Sequence, residues 1–406
     1  MEFVMKAVRC DNFVELCREY GISRKTGYKW RERFVECGLA GLEEESRRPR
    51  GHSEALEERV VCEIIRLKNA HRHWGPRKIR ELYRRKRGGE PPSESSFKRV
   101  LERAGLVEKR RRRVAKEGGR LSSGRKAQAP NEIWTTDFKG WWLGGLGERV
   151  EPLTVRDEYS RMILELKVVD NARTETIRAC FEELFERHGL PGAIRSDNGA
   201  PFASYQAMLG LSRLSAWWLA LGIDLERSRP GCPQDNPAHE RMHLDILNEL
   251  QSGRIGRDQE AFDLWRHEYN NLRPHDSLAM ASPAQIYHPS GRPYTGTPEE
   301  LDYGGMQTRQ VTTSRGTICY QRETIKLSTA LGGWNVGLAP QQNGLVEIWF
   351  ASLLLGHIDP QTAAFTPVHS HEEAQRTGLL ADSATLHRPT GRQTIQVQTS
   401  TKTCNL

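Results

Sequence analysis

The sequence predicts a multidomain protein: an all-α arm of tandem helix-turn-helix units, an α/β core and a small all-β barrel. Three observations predict it. The net charge of +8 over 406 residues hides a split, with 34 Lys and Arg against 19 Asp and Glu in residues 1–130, and 26 against 33 in the remainder. The basic part is apolar at helical spacing between capping residues, the pattern of short amphipathic helices. After residue 131 short apolar runs alternate with one long helical pattern, and near the C-terminus only short runs with Gly turns remain.

In the arm, Asn12–Tyr20 reads as a helix with Phe13, Leu16 and Cys17 on one face, broken by Gly21. Ser23 caps a second, basic helix from Arg24 to Glu36 that stops at Gly38. This is a helix-turn-helix pattern with Arg24, Lys25, Thr26, Tyr28 and Lys29 where base edges are read; a helical hairpin with a solvated basic face is the alternative. After an Arg- and Pro-rich joint, Glu54–Ala70, Arg77–Arg87 (with Pro76 at the first position) and Glu94–Ala104 (capped by Ser93, closed by Gly105) form a second unit, winged or homeodomain-like. Its expected DNA contacts are Arg77, Lys78, Ser95, Ser96 and Lys98. His71 and His73 lack Cys partners for a metal. Lys109 starts a basic run through Arg110, Arg111, Arg112 and Arg113, a solvated linker that can also track phosphates.

The expected boundaries are a first helix-turn-helix domain at 1–50, a second at 54–107, a basic linker at 108–130, the α/β core at 131–290, a linker at 291–306, the barrel at 307–360 and a disordered tail at 361–406. Eight Cys are scattered without a CxxC pair, which argues against a disulfide framework and a structural zinc site and fits a reducing compartment. No stretch approaches the ~20 apolar residues of a membrane span. No secretory leader pattern opens the chain, so secretion is not expected.

In the core, Ile133–Phe138, Leu153–Asp157 and Met162–Val169 read as strands, Thr174–His188 as a helix, and Gly192–Ser196 as a strand ending at Asp197. Glu240 lies on a helix after Asn236-Pro237. Asp137, Asp197 and Glu240 can meet where strand ends and a passing helix converge. Clustered carboxylates repel unless cations lie between them, and oxygen ligands select Mg²⁺, with Mn²⁺ able to substitute. Two such ions suit in-line displacement at a phosphodiester. Any one acid alone reads more readily as a strand-end or cap residue.

The flanks carry a resemblance. Trp134-Thr135-Thr136-Asp137, Asp157-Glu158-Tyr159-Ser160-Arg161, Arg195-Ser196-Asp197-Asn198-Gly199-Ala200-Pro201-Phe202 and Asp235-Asn236-Pro237-Ala238-His239-Glu240-Arg241 resemble the DDE transposases of bacterial insertion sequences, relatives of retroviral integrases with an RNase H-like core. Tyr269-Asn270-Asn271-Leu272-Arg273-Pro274-His275 with Ser282-Pro283-Ala284 looks like the closing motif of that family. The resemblance covers roughly residues 10–360. It implies Asp137, Asp197 and Glu240 as catalytic and metal-holding acids with two Mg²⁺ ions. It further implies double-stranded DNA (terminal inverted repeats and target) as partner, a homo-oligomeric synaptic complex, an SH3-like barrel and a bacterial cytoplasmic, nucleoid-associated setting. A transposase-derived regulator with a dead core is the alternative.

Two departures stand out. Between Asp197 and Glu240 lie 42 residues, more than is usual in the family, with the surplus expected in a lengthened helix at Leu209–Leu221; Glu226, at 28 residues, has the nearer spacing but lacks the flank. Many relatives carry a basic residue two helical turns after the Glu; here it is Leu247, with Arg241 and His243 as nearby basic DNA contacts. His239 and His243, at i and i+4, suggest zinc, but the sequence offers no third ligand. Asn198-Gly199 is expected as a tight turn, and Asn236 as a helix cap or a DNA contact. Trp134, Trp141 and Trp142 are core or base-stacking residues. Arg273 and His275 touch DNA, or serve structure.

Overall fold

The computed structural model describes residues 1–44, 56–107, 125–204, 207–229 and 236–368. The basic run with Arg110, Arg111, Arg112 and Arg113, and the tail from 369, lie outside the described residues. The chain forms two compact units, Met1–Val61 and Cys62–Leu406, each described by itself.

The first unit holds α1 (Glu2–Ala7), α2 (Phe13–Glu19) and α3 (Arg24–Cys37). Helix α1 is additional to the expected pair. Ser23 caps α3 as expected, accepting from the Thr26 amide, while Asn12, expected within the helix, instead caps α2 by accepting from the Glu15 amide. Gly27 lets α3 approach its neighbours, because a Cβ there would lie 2.7 Å from Cys17 Sγ. On α3, Tyr28 stacks on Phe13 at 4.3 Å with Arg31 over both rings, and Arg24, Lys25, Thr26 and Lys29 are exposed.

The second unit takes in α4 (Glu58–Ala70) from Cys62 onward, α5 (Pro76–Arg87) and α6 (Glu94–Arg103), which bury Ile64, Leu67, Ile79, Leu82, Phe97 and Leu101. Ser93 caps α6 through the Ser96 amide, and Ser95 and Lys98 are exposed.

The core sheet uses β1 (Ile133–Phe138), β4 (Pro152–Asp157), β5 (Ile163–Val168), β6 (Ala193–Ser196) and β7 (Asp224–Arg227), with a small hairpin of β2 (Trp142–Leu143) and β3 (Arg149–Val150) inserted after β1. Its order is β5-β4-β1-β6-β7; β5, β4 and β1 pair antiparallel, and β1, β6 and β7 run parallel. Helices α7 (Thr174–His188) and α8 (Arg213–Ala220) join Trp134, Leu153, Val155 and Ile194 in one apolar cluster. A second cluster gathers Ile163 and Leu166 with residues of α9 (Pro237–Ile246) and α10 (Gln259–Asn271); the short α11 (Pro283–Ile286) follows. A π-helical turn, Leu247–Gln251, extends α9. Asn270 hydrogen-bonds both the amide and the carbonyl of Ile163 at 2.9 Å, satisfying backbone groups of edge strand β5 as another strand would.

The C-terminal strands are β8 (Gln307–Gln310), β9 (Thr317–Tyr320), β10 (Glu323–Lys326), β11 (Asn335–Pro340), β12 (Val346–Phe350), β13 (Leu353–Ile358) and β14 (Phe365–Pro367). Strands β9 and β10 pair off as a separate hairpin. The main antiparallel sheet, β14-β13-β12-β11-β8, recruits two strands the pattern did not reveal. Strand β14 lies past residue 360, so the tail begins later than expected; it pairs with β13, and Val368 is buried.

Residues 291–306, expected as a linker, are bound along the core. Arg292 donates to the carbonyls of Pro191, Leu221 and Gly222, and Trp217 Nε1 donates to Thr297 at 2.8 Å. Helix α8 is eight residues long rather than extended, and it packs against the turn Thr329–Leu331, so one apolar cluster runs from the core into the C-terminal sheet.

Candidate functional site

Strand register brings the first two acids together. Thr136 pairs with Ser196 across parallel strands β1 and β6, so the next residues, Asp137 and Asp197, leave neighbouring strand ends side by side. Adjacent strands lie about 4.8 Å apart. Glu240 stands on the exposed first turn of α9, after Asn236 and Pro237. Burial, then the charge of Asp197, then that of Glu240 push the Asp137 carboxyl up to about 7. That joint influence marks the three acids as one electrostatic cluster.

Supporting residues fix the geometry. Arg227 donates to Ser196 Oγ at 2.7 Å and to the Phe202 carbonyl at 2.9 Å, pinning the turn that carries Asp197. Asn198 donates to the Ser228 carbonyl, and a Cβ on Gly199 would sit 2.8 Å from Asp197 Oδ2, so the turn closes against the acid itself. Arg273 fixes the far part of the Glu240 helix, reaching Asp245 at 2.9 Å and Glu249 at 3.1 Å. It is buried and structural; its neighbour His275 is pushed down to about 3 by burial and nearby cations.

Lys139, which sequence reasoning missed, faces the charges of Asp137 and Glu240 while burial lowers its pKa. It lies just past the end of β1, two positions after Asp137. Thr135 and Thr154 were also missed. They hold His239, whose Nδ1 lies 2.8 Å from Thr135 Oγ1 and Nε2 2.7 Å from Thr154 Oγ1.

Several expectations change. The third neighbour that His239 and His243 lacked is Asp137: His243 Nδ1 lies 4.0 Å from Asp137 Oδ2. His243 is buried, and burial with the charge of Lys139 lowers it to about 3, so it is a neutral imidazole rather than a basic DNA contact. Arg241 remains exposed, 3.5 Å from Asp245. Asn236 sits at the cap position of α9, yet its side chain makes no capping bond. Glu226 is committed elsewhere: it pairs with Arg195 at 2.6 Å and with Arg125 at 3.1 Å. Trp134 and Trp142 are buried, whereas Trp141 is 56% exposed on the β2–β3 hairpin with Arg149 over its ring.

Arg77 and Lys78 do not stand free. Arg77 pairs with Asp276 at 2.7 Å, and burial with the charge of Arg273 lowers Lys78 to about 8. The same seam holds His71 to Glu268 at 2.7 Å and Arg85 to the carbonyls of Leu272 and Met280. The physical reason is that Asp276, Glu268 and the closing carbonyls of α10 give the start of α5 a polar partner within the chain.

Comparisons with known proteins agree with this architecture. A homeodomain-like domain model matches residues 26–101, and two integrase core domain models match residues 127–233 and 221–283. A 39.2 kDa protein of insertion element IS476 from Xanthomonas euvesicatoria is 29% identical over 256 residues, 62% of this chain and 70% of that protein. A 31.7 kDa protein of insertion element IS407 from Burkholderia multivorans is 26% identical over the same length, 88% of that protein. Among solved structures, the catalytic core of BIV integrase is 21% identical over 39% of this chain and 93% of that one, with a TM-score of 0.31. A simian T-cell lymphotropic virus intasome in complex with a PP2A regulatory subunit is 17% identical over 72% of this chain and 97% of that one, with a TM-score of 0.36. No helix among the described residues is long and apolar enough to cross a membrane. The chain is thus similar to insertion-element proteins over 62% of its length, with a homeodomain-like region ahead of an integrase core.

Proposed function

We propose that the chain is the transposase of its element, binding terminal inverted repeats, opening the phosphodiester at each end and joining the released 3′-hydroxyl to target DNA. The observation that carries this reading is the position of Asp137, raised to about 7 by burial and by the charges of Asp197 and Glu240. A buried carboxyl with two further acids beside it fits divalent cations, with Asp137, Asp197 and Glu240 as holders and Mg²⁺ the expected ion. Two bound ions supply activation of the attacking oxygen and stabilisation of the leaving one. The remaining work belongs to the chain. Paired strand ends fix the separation of Asp137 and Asp197, Arg227 and Arg273 hold the turn and the helix bearing the other two acids, and Lys139 offers a cation where a phosphate would approach.

DNA-end recognition falls to the exposed face of α3, with Arg24, Lys25, Thr26, Tyr28 and Lys29, and to Ser95, Ser96 and Lys98 on α6. The C-terminal sheet is read as the SH3-like part, contacting DNA or a second protomer in a synaptic homo-oligomer. The expected setting is the bacterial nucleoid. The regulator reading is less favoured, because neither Asp197 nor Glu240 is held in an ion pair among the described residues. Incubating end DNA and target DNA with Mg²⁺ tests the proposal: wild type should cleave and join, and Asp197→Ala should bind without joining. Binding by both with joining by neither would leave the regulator.

A further inference from the structure

His243 is the residue whose position the function so far leaves unused. Thr154 Oγ1 lies 2.8 Å from the Asp137 carbonyl, 2.7 Å from His239 Nε2 and 3.0 Å from His243 Nε2. A hydroxyl has one hydrogen and two lone pairs, and a carbonyl only accepts. All three contacts are hydrogen bonds in one arrangement alone: the hydroxyl donates to the carbonyl, and both imidazoles donate from Nε2. His239 Nδ1 then accepts from the Thr135 hydroxyl at 2.8 Å, which takes that hydrogen in preference to the Arg156 carbonyl at 3.3 Å, so both of its ring nitrogens are used. His243 Nδ1 is left with a bare lone pair and no donor among the described residues. It faces Asp137 Oδ2 at 4.0 Å.

Two lone-pair atoms facing each other at this distance are suited to a cation between them, since two metal–ligand bonds of about 2.1 Å span up to about 4.2 Å. His243 also lies one helical turn beyond Glu240, on the same side of α9. We propose that His243 Nδ1, and not His239, is a nitrogen ligand of the divalent ion held by Asp137. The assignment rests on the metal-holding role of Asp137 proposed above. A nitrogen donor among carboxylates shifts preference from Mg²⁺ toward Mn²⁺ and later transition ions, so the site differs in kind from an all-oxygen one.

The test is Mn²⁺ bound to the full-length protein, observed by pulsed electron paramagnetic resonance for coupling to a directly bound ¹⁴N. Wild type should show that coupling. His243→Ala should lose it and bind Mn²⁺ roughly tenfold more weakly, an effect of the size seen for altered metal shells, while Mg²⁺ binding changes less. His243→Asn serves should the alanine variant misfold. Asp137-dependent Mn²⁺ binding without ¹⁴N coupling in wild type, or coupling that survives both substitutions, overturns the ligand assignment and leaves the proposed function standing. Absence of any Asp137-dependent Mn²⁺ binding overturns both.

Discussion

Arg273 Nη2 lies 2.9 Å from Asp245 Oδ1, and both side chains are buried. The pair ties the closing motif to the helix that bears Glu240. Removing one partner of such a pair strands a charge in the interior, at roughly 3–5 kcal/mol. Arg273→Ala should therefore unfold at markedly lower urea concentration than wild type. Arg273→Lys should recover only part of the loss, because one ammonium does not replace a guanidinium reaching both Asp245 and Glu249. Equilibrium urea unfolding measures both.

The raised Asp137 carboxyl sets a pH dependence. An unfolded aspartate titrates near 3.9, so the native state holds this proton more tightly up to about 7. In chelator, this group makes wild-type stability fall as pH rises from about 4 to about 7 and adds no further change above. Asp137→Asn should remove that contribution, gaining roughly 2 kcal/mol over wild type at pH 8 relative to pH 5. The same linkage makes a divalent ion raise the wild-type Tm more at pH 8 than at pH 5. Denaturant titrations at the two pH values read the first effect, and thermal scans the second.

Glu226 and Glu240 separate by their losses. Glu226 faces Arg195, a buried guanidinium that also touches Glu158 at 3.1 Å. Glu226→Ala should lower stability by on the order of 2–3 kcal/mol, less than a fully stranded charge because Glu158 remains. Glu240→Gln should leave the melting curve close to wild type while abolishing cleavage. Melting curves and end-cleavage assays on the same preparations distinguish the two acids.

Trp217 tests the attachment of residues 291–306. Its ring carries Arg178 at 4.7 Å, packs on Phe185 and donates to Thr297. Trp217→Ala should cost about 3–5 kcal/mol and open new proteolytic cuts in that segment. Trp141→Ala, at an exposed ring, should change stability by less than about 0.5 kcal/mol. Limited proteolysis followed by mass spectrometry reads the cut sites.

What the sequence made legible follows from how local each signal is. Helix α7 was bounded correctly at Thr174 and His188, since its apolar spacing and the following glycine are all local. Asp137, Asp197 and Glu240 were chosen through their flanking motifs, since spacing alone does not separate Glu240 from Glu226. Strands β8 and β14 escaped because they are short, β8 being polar throughout, and ordered by pairing with β11 and β13 rather than by an internal pattern. The meeting of His243 with Asp137 was illegible for the same reason: more than a hundred residues separate them, and only packing of α9 on the sheet joins them. Likewise, nothing around Arg77 announced that Asp276 would take it up.

We propose that Asp137, Asp197 and Glu240 form one active site for DNA strand transfer. The most direct measurement offers pre-cleaved element ends and a supercoiled plasmid to the full-length protein in Mg²⁺, and scores joined products. Wild type and an Arg241→Ala control should join ends, while Asp137→Asn, Asp197→Asn and Glu240→Gln should each fall to background yet still retain end DNA in a gel-shift assay. Joining by any one of those three acid variants at the wild-type rate would contradict the account.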